Sequence, residues 1–254
     1  MITLIYDDTW NGFLTAVFEA FAAKEPCLLQ NARRGGVGSL LPPKTVHEDD
    51  EKAARVLRGI DNLPHQKPSH SAPTEPDRSF SEALYSAWLS ELPGIEDSIV
   101  ACLRLGFQRQ CDPLPLRQID CAHRVNTAAK KANWEAHRFI QFVRFIEGGE
   151  NLYMANIQPE CDVLPLLAEH FHDRYKILRF IIQDTVRRKA IFSDPTGWVI
   201  VEMEDQLLEL PKGGEFEKLW KTYFDTIANP ARRNKKLQQK FVPLRFREHL
   251  TEFQ

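Results

Sequence analysis

The chain has 254 residues, 43% of them hydrophobic, and its 33 Lys and Arg residues nearly balance its 35 Asp and Glu residues. This composition excludes a disordered chain and predicts one or two globular domains. The apolar runs fall far short of the roughly 20 residues that a membrane-spanning helix needs, so we expect no membrane partner.

The N-terminal sequence and the cysteines indicate the compartment. MITLIYDD lacks the basic start and cleavage site of a signal peptide, and the five cysteines are at least nine positions apart. This spacing excludes zinc fingers and iron–sulfur signatures. His170 and His172 lie on a predicted helix, where their side chains diverge by about 200° and cannot share a metal ion. We expect a cytoplasmic protein with reduced thiols, no metal and no cofactor.

The first predicted region, residues 1–77, has a β-then-α pattern and ends in a linker. Residues 2–6 form a short run of β-formers, and Phe13, Val17 and Phe21 then recur at helical spacing. The basic loop RRGGVGS could bring backbone amides to a phosphate, but no GKS or GKT follows, which excludes a P-loop. Four prolines between positions 62 and 77 mark the linker.

The second region, residues 78–134, is predicted to be helical. Apolar stripes begin at Phe80 and Ile95, and a basic amphipathic helix is predicted over 114–134. The turn LPGIE between the two stripes resembles the hairpin of helix-hairpin-helix DNA-binding motifs. Glu96 replaces the second glycine of that motif and would bring a carboxylate to the phosphate. We therefore expect a plain helix–helix corner.

The third region, residues 135–254, is predicted to contain a sheet with flanking helices. At Phe139 the helical period changes to alternation, which predicts a central strand, a turn at Gly148-Gly149 and a second strand over 152–157. There follow a helix capped by Asp162, strands over 176–184, 190–192 and 198–201, and a helix over 215–227. The predicted fold class is α+β, with a mostly helical N-terminal half and, in the C-terminal half, an antiparallel sheet flanked by helices.

The C-terminal tail carries a cluster of bases. Between positions 228 and 250 the only acid is Glu248, and the candidates for phosphate contact are Arg232, Arg233, Lys235 and Lys236. Bases in such a run gain affinity for nucleic acid by releasing counterions. The alternative is a solvated helix face without a ligand.

Several segments resemble a bacterial family of uncharacterised proteins described as probable DNA metabolism proteins. They are IYDDTWNGFLTAVFEAF, EAHRFIQFVRF, DVLPLLAEHF, IIQD and LWKTYFDTI, and they span nearly the whole chain. Such proteins are encoded beside a putative DNA modification or repair protein of the radical S-adenosylmethionine (SAM) class, and some are fused to a uracil-DNA-glycosylase-like domain. The resemblance implies DNA and a radical SAM protein as partners. Gln141 replaces a glycine usual in that family, and Gln183 replaces a histidine ahead of Asp184.

The predicted helix-to-strand junction at His137 and Arg138 is the candidate site. Both side chains could project toward the end of the sheet, where Asp184 could join them. A histidine there could act as a base, and Arg138 or Arg144 could bind a phosphate through two hydrogen bonds. The alternative is structural, with Arg144 paired to Asp184 and His137 capping the helix C-terminus.

Two functions are therefore considered. The preferred one is an accessory protein in DNA modification or repair, which binds nucleic acid or a damaged base while a radical SAM enzyme performs the chemistry. The other is an enzyme that processes a nucleotide or DNA base with His137, Arg138 and Asp184. A catalytic site needs these groups around one reacting atom, whereas a binding surface needs one sign of charge over an area. A protein-binding scaffold, the third possibility, would instead expose an apolar patch.

Overall fold

The computed structural model describes residues 2–23, 25–34, 42–64, 78–149, 151–203, 242 and 244–247. The chain divides into two compact units, Met1–Ala132 and Asn133–Gln254. Helices and strands occur in both units, which confirms the α+β class. None of the helices in these described ranges is long and apolar enough to cross a membrane.

The first unit confirms the β-then-α opening. Its elements are β1 (Ile2–Tyr6), α1 (Trp10–Ala22), β2 (Cys27–Asn31), β3 (Lys44–Thr45), α2 (Asp50–Asp61), α3 (Phe80–Leu89), α4 (Ile95–Arg109) and the first part of α5 (Asp120–Phe142). The strand order is β2-β1-β3, and both pairings are parallel. Helix α1 begins after Thr9, whose hydroxyl accepts a hydrogen bond from the Gly12 amide. The helix then buries Phe13, Leu14 and Val17.

The turn between α3 and α4 is a helix–helix corner, as predicted. Gly94 precedes α4 with φ +71°, a left-handed conformation that glycine adopts without a steric cost. The Glu96 carboxylate accepts a hydrogen bond from the Tyr6 hydroxyl at 3.3 Å and lies 3.4 Å from Arg34 Nη1. It is therefore occupied by partners within the first unit.

The second unit contains a five-stranded mixed sheet. Its elements are the remainder of α5, β4 (Ile146–Gly149), β5 (Leu152–Ile157), α6 (Leu164–Arg174), β6 (Arg179–Asp184), β7 (Lys189–Asp194), β8 (Gly197–Glu202) and α7 (Leu244–Arg247). The strand order is β4-β5-β6-β7-β8. In the described sheet β5 and β6 are parallel, and the other three pairings are antiparallel. The expectation of an antiparallel sheet was therefore incomplete, because α6 crosses over and returns the chain in the direction of β5.

Two local predictions in the second unit are wrong. Helix α5 continues to Phe142, so no strand begins at Phe139. Ala136 and Phe139 are three residues apart and both buried, so they form the inner face of a helix. Asp162 does not cap α6, whose N-cap residue is Val163. The Asp162 carboxylate instead lies 3.3 Å from Lys189 Nζ. The predicted helix over 215–227 lies outside the described residues.

Candidate nucleic-acid interface

The C-terminal end of α5 presents a row of exposed side chains. Trp134, His137 and Gln141 are separated by three and four residues, which places them on one face of the helix. His137 and Gln141 are exposed, and Trp134 is 47% exposed. Because Ala136 and Phe139 are buried on the other side of the same turns, the amphipathic pattern directs this row to solvent.

Arg138 lies beside this row and between two aromatic rings. Its guanidinium carbon is 4.8 Å from the centroid of the Trp134 ring and 5.9 Å from that of Phe142. Both rings are four residues away along the helix, one on each side. Guanidinium groups stack favourably on aromatic faces, so the two rings hold the cation in place at the surface. Trp134, His137, Arg138 and Gln141 are together called the α5 surface below.

His137 and Arg144 complete the end of the helix. His137 Nε2 lies 2.9 Å from Gln141 Nε2, with donor and acceptor set by the histidine tautomer. Arg144 donates to the backbone carbonyls of Gln141 and Val143, at 3.1 and 3.3 Å. A cation is favourable at these carbonyls because they carry the negative end of the helix dipole. Arg144 thus has the capping role that the structural alternative assigned to His137.

The one acid between Trp134 and Phe142 points inward. Glu135 is 1% exposed, and its carboxylate accepts hydrogen bonds from the backbone amides of Glu160 and Cys161 at 3.1 and 2.8 Å. It therefore anchors the loop that follows β5. The exposed side of this stretch consequently carries a cation and no carboxylate of its own.

Asp184 forms a buried ion pair with Arg187. Its side chain is 0% exposed, and its Oδ2 lies 3.0 Å from Arg187 Nη1. Its other oxygen accepts hydrogen bonds from the backbone amides of Val186 and Arg187. Burial raises the pKa of Asp184, while the Arg187 guanidinium acts in the opposite direction. Arg187, rather than Arg144, is therefore the arginine that pairs with Asp184.

The same arginine holds the backbone after β5. Arg187 donates to the carbonyl of Pro159 at 3.1 Å and to that of Glu160 at 2.6 Å. In the described residues no hydrogen bond joins Asp184 to His137 or Arg138. The proposed convergence of these three side chains on one substrate therefore stays a prediction.

Residues 93–252 match the model of DUF4130, a domain of unknown function. The chain belongs to the DUF4130 family. The matched range contains α5, the Asp184–Arg187 pair and the whole described sheet of the second unit. The prediction of an uncharacterised family is confirmed. No curated protein and no solved structure matches the chain.

Two further histidines of the DUF4130 range, His170 and His172, lie on α6. His172 Nδ1 lies 3.0 Å from the Ser193 hydroxyl and so joins α6 to β7, whereas His170 is exposed. Within the described chain no group of three His, Cys, Asp or Glu side chains could hold a metal ion. The predicted tail bases Arg232, Arg233, Lys235 and Lys236 lie outside the described residues.

Four residues within the DUF4130 range were not predicted from the sequence. Trp134 and Gln141 belong to the α5 surface, and Glu135 and Arg187 make the buried hydrogen bonds described above. The helical spacing of Trp134, His137 and Gln141 was a usable signal, but the prediction ended the helix at Trp134. The Asp184-x-x-Arg187 spacing also permits a local ion pair at a turn. By contrast, nothing in the sequence indicates that Glu135 binds amides 25 and 26 residues further along the chain.

Proposed function

We propose that the chain is an accessory protein in DNA modification or repair and that it binds nucleic acid through the α5 surface. One observation carries the proposal: the half-exposed ring of Trp134 packs against the Arg138 guanidinium at the surface. The ring offers a face on which an unpaired base can stack, and the cation attracts the neighbouring phosphate.

The surroundings of the α5 surface support this proposal. Arg138 is already positioned between Trp134 and Phe142, so less side-chain entropy is lost when a ligand binds. Glu135 points inward, so no carboxylate from this stretch repels a phosphate. His137 and Gln141 add hydrogen-bonding groups next to the ring. Because Trp134 can stack only on a base that is not paired, we expect single strands to bind more tightly than duplexes.

The accessory role is preferred over an enzyme because of Asp184. Its carboxylate is fully buried and already bonded to Arg187 and two amides, so its contacts do not favour a role with substrate. In this proposal the α5 surface binds the strand or a damaged base, and a radical SAM enzyme supplies the chemistry. The resemblance found in the sequence is the basis for that partner.

The test is binding of fluorescent single-stranded and duplex DNA of the same sequence across a salt series. Trp134→Ala should weaken single-strand binding about 5- to 150-fold, since a base stacked on an aromatic ring is worth about 1–3 kcal/mol. Trp134→Phe should restore most of the affinity. Arg138→Ala should reduce the salt slope by about one phosphate contact.

Arg174→Ala is the matched control, because Arg174 is exposed and stacks on Tyr175 in the same unit. A tail variant, Arg232→Ala with Arg233→Ala, measures the separate contribution of the C-terminal bases. Absence of DNA binding by the wild-type chain at low salt would refute the proposal. It would also be refuted if Trp134→Ala and Arg138→Ala bound DNA as the Arg174→Ala control does.

A further inference from the structure

A groove of about 500 Å³ lies on the sheet of the second unit. Paired residues of neighbouring strands project to the same face, and successive residues alternate between faces. Ser193 faces α6, since its hydroxyl is bonded to His172. Phe192 therefore projects to the opposite face, together with its cross-strand partners Ile181 and Val199. The groove lies on this opposite face.

The floor of the groove is apolar and partly exposed. Phe192 packs with Leu152 against the buried side chains of Met154, Ile181 and Ala190. Val199, beside Phe192, is 53% exposed. A volume of about 500 Å³ is in the range of roughly 300–1,000 Å³ that small-ligand sites occupy. The floor can therefore accept a planar apolar face, with the Phe192 ring among its contacts.

Two opposite charges stand at one end of this floor. Arg179 and Asp194 both line the groove, in the next row along the strands. Asp194 Oδ1 accepts hydrogen bonds from the amide and hydroxyl of Thr196, which lower the pKa of the carboxyl group. The Gly197 amide and the positive charge of Arg179 lower this pKa further. In the described part of the chain, Oδ1 is the Asp194 oxygen that accepts the two bonds from Thr196, which leaves Oδ2 available to a ligand. At this end of the groove, the Arg179 guanidinium can donate hydrogen bonds to a ligand and Asp194 Oδ2 can accept one.

Gly197 leaves the same end of the groove open. It is the cross-strand partner of Asp194 and lines the groove. A Cβ atom added at Gly197 would have no atom within 4 Å. A larger side chain there would therefore occupy the groove without displacing the protein around it.

We propose that this groove binds one unpaired nucleobase of a single strand. The base lies on Phe192 and the apolar floor, Arg179 donates to an acceptor on its edge, and Asp194 Oδ2 accepts from an amino or imino group. The combination suits a base better than a phosphate, because Asp194 repels an anion and the floor is apolar. Sheet faces that carry aromatic side chains bind unpaired bases in the same way in RNA-binding modules. The inference rests on the proposed function and adds to it the group that is bound.

The experiment titrates the full chain with the four common deoxynucleosides, which have no phosphate, followed by NMR or calorimetry. We expect binding by the wild type. Gly197→Leu should weaken it at least about tenfold by filling the groove. Arg179→Gln should weaken it about tenfold, because the shorter neutral amide lacks the guanidinium charge and its fork of donors. Arg188→Gln is the matched control, because Arg188 is an exposed arginine of the same unit outside the groove. Unchanged melting temperatures establish that the variants fold. If Gly197→Leu does not fold, the effect of Arg179→Gln on nucleoside binding tests the groove proposal.

Single-stranded oligonucleotides separate this proposal from the proposed function. If oligonucleotide binding depends on Trp134 while Gly197→Leu and Arg179→Gln leave both oligonucleotide and nucleoside binding unchanged, the groove proposal is wrong and the proposed function stands. If Gly197→Leu blocks nucleosides and weakens oligonucleotide binding, while Trp134→Ala and Arg138→Ala bind oligonucleotides as the Arg174→Ala control does, the groove proposal stands and the proposed function fails. Absence of nucleoside binding by the wild type overturns the groove proposal.

Discussion

Replacing Arg187 by Met tests the ion pair that organises the second unit. The guanidinium makes one bond to the Asp184 carboxylate and one to each of two backbone carbonyls, at 2.6–3.1 Å. The side chains of Arg187 and Asp184 are 8% and 0% exposed, so water cannot replace these bonds without a rearrangement. Met has a similar apolar stem but no donor. Arg187→Met therefore leaves Asp184 buried with two amides as its remaining partners.

The expected loss is about 3–5 kcal/mol, the cost of removing one partner of a buried ion pair. Its pH dependence follows from the pKa of Asp184, which burial raises and Arg187 lowers. A carboxyl group with a raised pKa in the folded state stabilises the fold below its unfolded pKa of about 4, and this stability is lost as pH rises through the folded pKa. Without Arg187 that folded pKa rises further. The variant should therefore lose more stability, relative to the wild type, at pH 7 than at about pH 5.

Hydrogen exchange measured by mass spectrometry on peptides from β6 and β7 is the suitable assay, because it reports on the second unit alone. The peptides should exchange about one hundred to several thousand times faster in Arg187→Met at pH 7. The neighbouring exposed residue provides the control, since Arg188→Met should change the opening free energy by less than about 0.5 kcal/mol. Adding Asp184→Asn to Arg187→Met should recover part of the loss.

A loss below about 1 kcal/mol in Arg187→Met at pH 7 would show that this ion pair does not hold the second unit together. An equal loss of stability at both pH values would show that removing Arg187 does not raise the pKa of Asp184 in the folded state. A double variant less stable than Arg187→Met alone would show that the unpaired charge is not the cause.

Two further predictions concern the first unit. A Cβ atom at Gly12 would clash with Asp7 Oδ1, which accepts a hydrogen bond from the Thr9 hydroxyl, so Gly12→Ala should cost about 1 kcal/mol by displacing that carboxylate. Urea unfolding should show that most of this cost is removed when Asp7→Ala is added. Tyr6 is buried, which raises the pKa of its hydroxyl far above 10, so the stability of this unit should fall as pH rises above about 10. Alkaline unfolding of Tyr6→Phe should not show this loss of stability above about pH 10. At neutral pH the free energy of unfolding of this variant should be about 1–3 kcal/mol lower than that of the wild type, because Trp88 Nε1 loses its hydrogen-bond acceptor.

The end of α5 shows where sequence patterns were ambiguous. From Phe139 onward, apolar residues fit both an alternating strand and the inner face of a helix. The structure continues the helix, and the Phe139 ring is 4.9 Å from that of Phe246, near the end of the chain. A contact over that separation cannot be inferred from local periodicity. The proposed α5 surface depends on this continuation, because only a helix places Trp134, Arg138 and Phe142 on neighbouring turns.

The sheet shows a second limit. Alternation located β5, β6, β7 and β8 to within a few residues, yet it contains no information on strand direction. The parallel pairing of β5 with β6 follows from the α6 crossover. It also sets which residue of β5 borders the groove, since Leu152 is the partner of Arg179.

Local sequence patterns were enough to predict the α+β class, the β-then-α opening, the helix–helix corner before Ile95 and most strand positions, because these depend on periodicity and on Pro and Gly over a few residues. The distant partners of the charged side chains emerged only when the chain was folded. Glu135 accepts from amides 25 and 26 residues further along the chain, Arg187 donates to the carbonyls of Pro159 and Glu160, and Asp162 lies beside Lys189. The physical reason is that a local pattern fixes which face of an element is buried. It does not fix which distant element supplies the other half of an ion pair or hydrogen bond.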